Sequence, residues 1–367
     1  MSGEPSAASL PALTGARWLA ALAVFLHHAG LAAYLSGGSQ RALLTVGGAG
    51  HVGVSFFFIL SGFVLLWSHR PGEGPRSFWR RRVARVVPLH LATAVVALLL
   101  GLTIAPSLGP RAETGGWGAM VANAALVGSW VPGWSQAGNP VSWSLACEAF
   151  FYALFPAVVL LVARGGQRRA WTCLGLAAVC ALVAALLIDA LTVDLSRVPL
   201  TRLPEFVAGV ATARLVRLGA WPVQRLGWAL LLAAGGWVLA SLTTPPYAVA
   251  LATLTGFVAL IGALGWCQSQ SRPGPPLARW LSRPRMVRLG EWSFAFYLVH
   301  ILVMRVIEHT LVSHPALPAI PGLALLLVVL MVSIALAGLV HHGVEAPMNA
   351  WIRARGRQRV SIAVQSS

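Results

Sequence analysis

The chain has 367 residues, 57% of them hydrophobic and 10% charged, with a formal net charge of +17 and a mean hydropathy of +0.75. That balance excludes an ordinary soluble domain. All 27 basic side chains are arginines gathered between apolar stretches, a pattern that reports membrane topology and excludes a nucleic-acid-binding face.

Ten apolar stretches follow one another, near 17–36, 52–68, 86–105, 143–163, 171–191, 203–219, 226–243, 246–267, 292–312 and 321–342. Most approach the ~20 residues that a spanning helix needs. They are rich in Ala, Leu, Gly and Val and lack the alternation of a lipid-facing strand. The predicted fold class is therefore an all-α integral membrane protein with about ten transmembrane helices. Arginines crowd the second connection (Arg70, Arg76, Arg80, Arg81, Arg82, Arg85), the fourth (Arg164, Arg168, Arg169), the sixth (Arg214, Arg217, Arg225) and the eighth (Arg272, Arg279, Arg283, Arg285, Arg288). Arg353, Arg355, Arg357 and Arg359 follow the last stretch, whereas the odd connections carry few. Positive-inside bias then places both termini in the cytoplasm. The expected organisation is a cytoplasmic tail over 1–12, a multi-pass domain over 13–351 in the plasma membrane, and a disordered cytoplasmic tail over 352–367.

The first stretch carries Arg17 near its start and the pair His27 and His28 well inside it. A basic side chain at bilayer depth costs about 2.5–3.5 kcal/mol, so such residues mark sites. Arg17 and His28 are eleven residues apart, roughly 16 Å along a helix. This suits a site that takes a charged substrate from one side and performs proton chemistry within the membrane. His28 is the candidate general base, because imidazole is the usual base near neutral pH. His27 and His28 point about 100° apart on a helix and cannot readily chelate one ion, and no metal-ligand spacing occurs elsewhere, so no metal is expected.

In the second stretch, Gly53, Ser55, Ser61 and Gly62 read as small residues that let helices approach closely. The run FWRRRVARVVPLH follows, with Arg82 and Arg85 three residues apart. They share a helix face and fit a phosphate between their planar guanidinium groups, such as the nucleotide end of coenzyme A; the bland alternative is a topology anchor. The fourth stretch opens WSLACEAFFYALFP, which buries Glu148 with Tyr152 one turn on. A buried carboxylate there lines a polar cavity, where it is a catalytic candidate that orients the acceptor or the imidazole; the bland alternative is a structural hydrogen bond. His300, with Tyr297 a turn earlier, reads as a packing residue, and Glu345 as a structural partner for Arg17 or the Arg80–Arg85 cluster. Cys147, Cys173, Cys180 and Cys267 read as small apolar residues.

Taken in order, these residues resemble the acyltransferase 3 family of integral-membrane acyltransferases, from about Leu13 to Trp351. The likeness rests on Arg17 and His28 with the following Ala29-Gly30, GVSFFFILSGF at 53–63, and Arg82-x-x-Arg85 before Pro88. It continues through WSLACEAFFYALFP at 143–156, FVAGV at 206–210, LGEWSFAFYLVH at 289–300 and Glu345-Ala-Pro347. The resemblance implies an acyl-CoA donor, often acetyl-CoA, with no permanently bound cofactor. The implied acceptor is a hydroxyl on a carbohydrate, lipid-linked glycan or natural product. It further implies that Arg17 and His28 are essential and that Arg82 and Arg85 help bind the donor. His27 stands where relatives usually carry an apolar or aromatic residue, and the chain ends soon after the tenth stretch, as a stand-alone transferase. The residues alone also fit a multi-pass transporter that uses the same Arg, His and Glu as a proton or substrate relay.

Overall fold

A computed structural model describes residues 10–351, except 70, 71, 73, 112, 114, 164, 192, 193, 244–248, 251, 252, 271–273 and 312–315. The two expected tails, together with Arg70, Arg164 and Arg272, therefore lie almost wholly outside the described residues. The described chain is helical, apart from loops and one parallel bridge between Leu35 and Leu317.

The helices are α1 (Pro11–Leu31), α2 (Gly37–Gly47), α3 (Gly53–Trp67), α4 (Pro75–Thr103), α5 (Gly116–Ala124), α6 (Trp143–Ala163) and α7 (Gln167–Ala190). There follow α8 (Pro199–Arg217), α9 (Leu226–Leu242), α10 (Val258–Ser269), α11 (Pro276–Leu281), α12 (Pro284–Thr310) and α13 (Ala319–Val340). Every apolar stretch read from the sequence contains a helix. Six of the helical segments are long and apolar enough to cross a membrane, and Leu226–Leu242 and Leu254–Ser269 are shorter apolar helices. Neither α1 nor α8 is among the six. Arg17, His27 and His28 lower the mean hydropathy of α1, and Arg202, Glu205, Arg214 and Arg217 put four charges into α8. The second stretch is longer than expected, because α2 and a 3-10 turn (Gly48–Val52) run into α3 to make a helical segment of 31 residues.

Large apolar side chains point outward on α7 (Leu176, Val179, Val183) and on α13 (Leu323, Leu327, Met331). Exposed apolar faces of this extent are foreign to a water-facing surface and suit lipid. With six apolar segments, they make this a membrane protein. The interior is aromatic: Phe25, Phe58, Phe63, Phe151, Phe155, Phe206 and Phe296 are fully buried.

Without a hydrophobic drive between helices in lipid, close packing must come from small residues. Gly62 on α3 lies against the Phe206 carbonyl of α8, and Gly209 on α8 against the Ile59 carbonyl of α3, each too close for a Cβ. Gly53 is held the same way against α1, where a Cβ would lie 2.6 Å from the Ala20 carbonyl oxygen. Gly290 on α12 abuts the Thr14 carbonyl of α1. Overpacking costs about 1–3 kcal/mol, so Gly209→Ala is expected to lower the monodisperse fraction in detergent size-exclusion chromatography. An unchanged fraction would show that α3 and α8 can part at no cost.

The α1–α12 seam sets the register of the site. The two helices run in the same direction, with contacts climbing from Thr14–Gly290 through Trp18–Phe296, ring centroids 5.0 Å apart. Beyond that level come His28–His300 and Tyr34, whose hydroxyl donates to the Met304 carbonyl.

Candidate active site

Arg17, Arg82, Arg85 and Glu148 line one cavity of about 310 Å³. Arg17 comes from the first third of α1, the other two arginines from the polar start of α4, and Glu148 from the second turn of α6. Trp67 and Ser68 lie at the end of the cavity near the arginines; Phe57, Ser144 and Tyr297 lie toward the middle of the bundle. Arg82 and Arg85 share the cavity wall as their three-residue spacing predicts. Tyr152, one turn after Glu148, donates its hydroxyl proton to Glu148 Oε2 at 2.8 Å, and the Trp79 indole N–H holds the Tyr152 carbonyl at 2.9 Å. Among the lining residues three guanidinium groups stand with one carboxyl group, so the cavity wall carries a positive excess of at least two. Such a space suits a phosphorylated ligand. Ser61, read from the sequence as a packing residue, lines this cavity instead.

His28 lies apart from that wall. Eleven residues is three helical turns and about 20°, so Arg17 and His28 share a face of α1 at different heights. The helix ends at Leu31, three residues beyond His28, which puts the imidazole close to the end opposite Arg17 rather than at mid-helix. Its Nδ1 is 2.9 Å from Nε2 of His300, with ring centroids 5.1 Å apart. His300 is fully buried, and its Nδ1 donates to the Phe296 carbonyl at 3.1 Å. Tyr297 belongs to both regions: it lines the cavity, and its ring centroid is 5.9 Å from that of His300. Its hydroxyl donates to the Val141 carbonyl and accepts from Ser144, both at 3.1 Å. The structure thus brings four of the five predicted site residues together and seats the fifth, His28, beyond Tyr297 and His300.

The neighbouring residues sort themselves. His27 donates from Nδ1 to the Gly48 carbonyl at 2.9 Å, and His51 does so at 3.2 Å. Glu345 accepts from Nδ1 of His341, four residues earlier, at 2.9 Å, and its carboxylate also attracts Arg17 through space. Cys147 and Cys173 are buried, whereas Cys180 faces outward. Among the described residues, no three His, Cys, Asp or Glu side chains gather as a metal site.

Sequence reasoning did not pair His300 with His28. Nothing in the spacing of residues within one span reports which other span it touches. Arg202 and Glu205, three residues apart on α8, are charges inside an apolar stretch whose partners the sequence does not report. In the structure they form a buried ion pair at 3.1 Å, behind the cavity wall made by Phe58.

An all-helical bundle with an apolar exterior and an internal cationic cavity defines a membrane protein built around a charged site. The chain belongs to the acyltransferase 3 family: the profile described as "Acyltransferase domain" matches residues 10–341. Acyltransferase MdmB of Streptomyces mycarofaciens is 36% identical over 378 aligned residues, which cover 97% of this chain and 95% of that protein. The O-acetyltransferase OatA of Staphylococcus aureus is 32% identical over 162 residues, 41% of this chain and 24% of OatA. Peptidoglycan O-acetyltransferase OatA of Listeria monocytogenes is 26% identical over 168 residues, again 41% of this chain and 24% of its own length. No solved structure matches this chain. The chain is therefore an O-acyltransferase, and the transporter alternative gives way.

Proposed function

We propose that this enzyme moves an acyl group, acetyl above all, from acyl-CoA to a hydroxyl of a carbohydrate, glycan or natural product, with His28 as general base. The observation that carries this reading is the convergence of Arg17, Arg82 and Arg85 on one cavity. The phosphorylated end of the donor lies against these guanidinium groups, and Glu148 with Tyr152 fixes the polar wall opposite. The pantetheine arm extends toward Phe57 and Tyr297, and so toward the imidazole pair. His28 takes the proton of the acceptor hydroxyl while the oxygen attacks the thioester carbonyl. Collapse of the tetrahedral adduct breaks the C–S bond, and the imidazolium returns its proton to the leaving thiolate. The products are an ester and free CoA. In this reading ten helices of the 13–351 domain span the plasma membrane, both termini are cytoplasmic, and the donor enters from the arginine-rich side. A glycan acceptor is favoured by the peptidoglycan O-acetyltransferase among the relatives.

The test is a membrane assay with labelled acetyl-CoA and candidate glycan or natural-product acceptors. A hydrogen bond to a charged group is worth about 1.5–3 kcal/mol, so Arg82→Ala/Arg85→Ala is expected to raise KM for acetyl-CoA by at least about tenfold. An unchanged KM removes the phosphate clamp.

A further inference from the structure

We infer that His300 is the positioning residue for His28, holding its Nδ1–H so that Nε2 is left as the basic nitrogen. The inference rests on the reading of His28 as general base and goes beyond it by fixing which nitrogen acts. A carbonyl only accepts, so the contact between His300 Nδ1 and the Phe296 carbonyl places a proton on that nitrogen. In the neutral ring Nε2 is then an acceptor, and the 2.9 Å contact with His28 requires His28 Nδ1 to donate. What remains on His28 is one lone pair, on Nε2.

The anchor is stiff. The acceptor carbonyl is the one four residues before His300 on α12, within the helix itself. The ring is fully buried and packs against Phe296, Phe25 and Tyr297 at centroid separations of 5.7, 6.2 and 5.9 Å. A histidine that donates one N–H to a fixed acceptor has both its tautomer and its ring orientation settled. His27 also donates its Nδ1–H, but to the Gly48 carbonyl at the start of the 3-10 turn before α3, so His300 positions only His28.

The test compares His300→Leu, which fills the buried space without an acceptor, with His300→Gln, whose Oε1 reaches the place of Nε2. Both are measured in membranes for kcat and for KM of acetyl-CoA, beside His28→Ala. Loss of the partner that orients a working imidazole costs about 10- to 100-fold. His300→Leu is therefore expected to lose that factor in kcat with KM within about twofold, and His300→Gln to recover most of it. Should the leucine variant fail to fold, His300→Ala replaces it in the same comparison. Unchanged kcat in the variant without an acceptor, or a glutamine variant as slow as it is, overturns the inference. Full activity in His28→Ala instead removes the base itself, whatever the His300 variants do.

Discussion

His28→Ala is expected to lower kcat by about 10²- to 10⁴-fold, the usual worth of a positioned general base, while acetyl-CoA binds within about twofold of wild type. The split follows from the geometry. The residues proposed to grip the donor, Arg17, Arg82 and Arg85, line the cavity, whereas His28 contacts His300 outside that lining. Removing the imidazole therefore leaves the donor-binding groups in place and takes away only proton transfer. Binding is read from protection of the folded protein against heat by acetyl-CoA, and turnover from labelled acyl transfer in the same membranes. His27→Ala is the internal control, because the His27 ring is anchored at Gly48 and not at His300. If His27→Ala is slow and His28→Ala is not, the base has been assigned to the wrong member of the pair. If His28→Ala loses donor binding along with turnover, the cavity and the imidazole are a single site, and two regions separated by Tyr297 no longer describe it.

What the sequence disclosed follows from where each signal resides. The helices were legible because an apolar run in lipid has one way to satisfy its backbone. The cluster of Arg82 and Arg85 was legible because three residues set a common face. Glu148 with Tyr152, four residues apart, obeyed the same rule, and the 2.8 Å hydrogen bond joins them. Contacts between distant spans have no such rule. His28 and His300 are separated by 272 positions, and the parallel register of α1 on α12 that unites them depends on Gly290 meeting Thr14. Glu345 acts on Arg17 through space, while its direct partner is local: His341, four residues away in the π-helical turn His341–Glu345. The reading of Ser61 as a packing residue missed. Ser61 precedes Gly62, so one position faces α8 while its neighbour turns about 100° toward the cavity.

The largest stability effect is expected at Arg202. Its guanidinium pairs with Glu205 at 3.1 Å, the two side chains being 6% and 2% exposed. It also donates to Ser55 Oγ at 2.8 Å and sits over the rings of Phe58 and Trp143 at 5.3 and 5.8 Å. One residue thus ties α8 to α3 and α6 by charge, hydrogen bond and ring contact together. Breaking a buried pair from one side costs about 3–5 kcal/mol, because the remaining charge keeps its desolvation penalty and loses its counter-ion. Arg202→Met is expected to fall in that range, measured by unfolding in mixed micelles titrated with SDS. Glu205→Gln is expected to cost less, since Arg202 retains Ser55 and two aromatic faces. The double variant Arg202→Met/Glu205→Leu should be more stable than Arg202→Met alone, because both desolvation penalties go at once. A double variant that loses the sum of the Arg202→Met and Glu205→Leu losses, each measured alone, would show that the pair is not coupled. Arg202 would then act through its contacts with Ser55, Phe58 and Trp143, and the loss would appear as a loosening of α3 against α8.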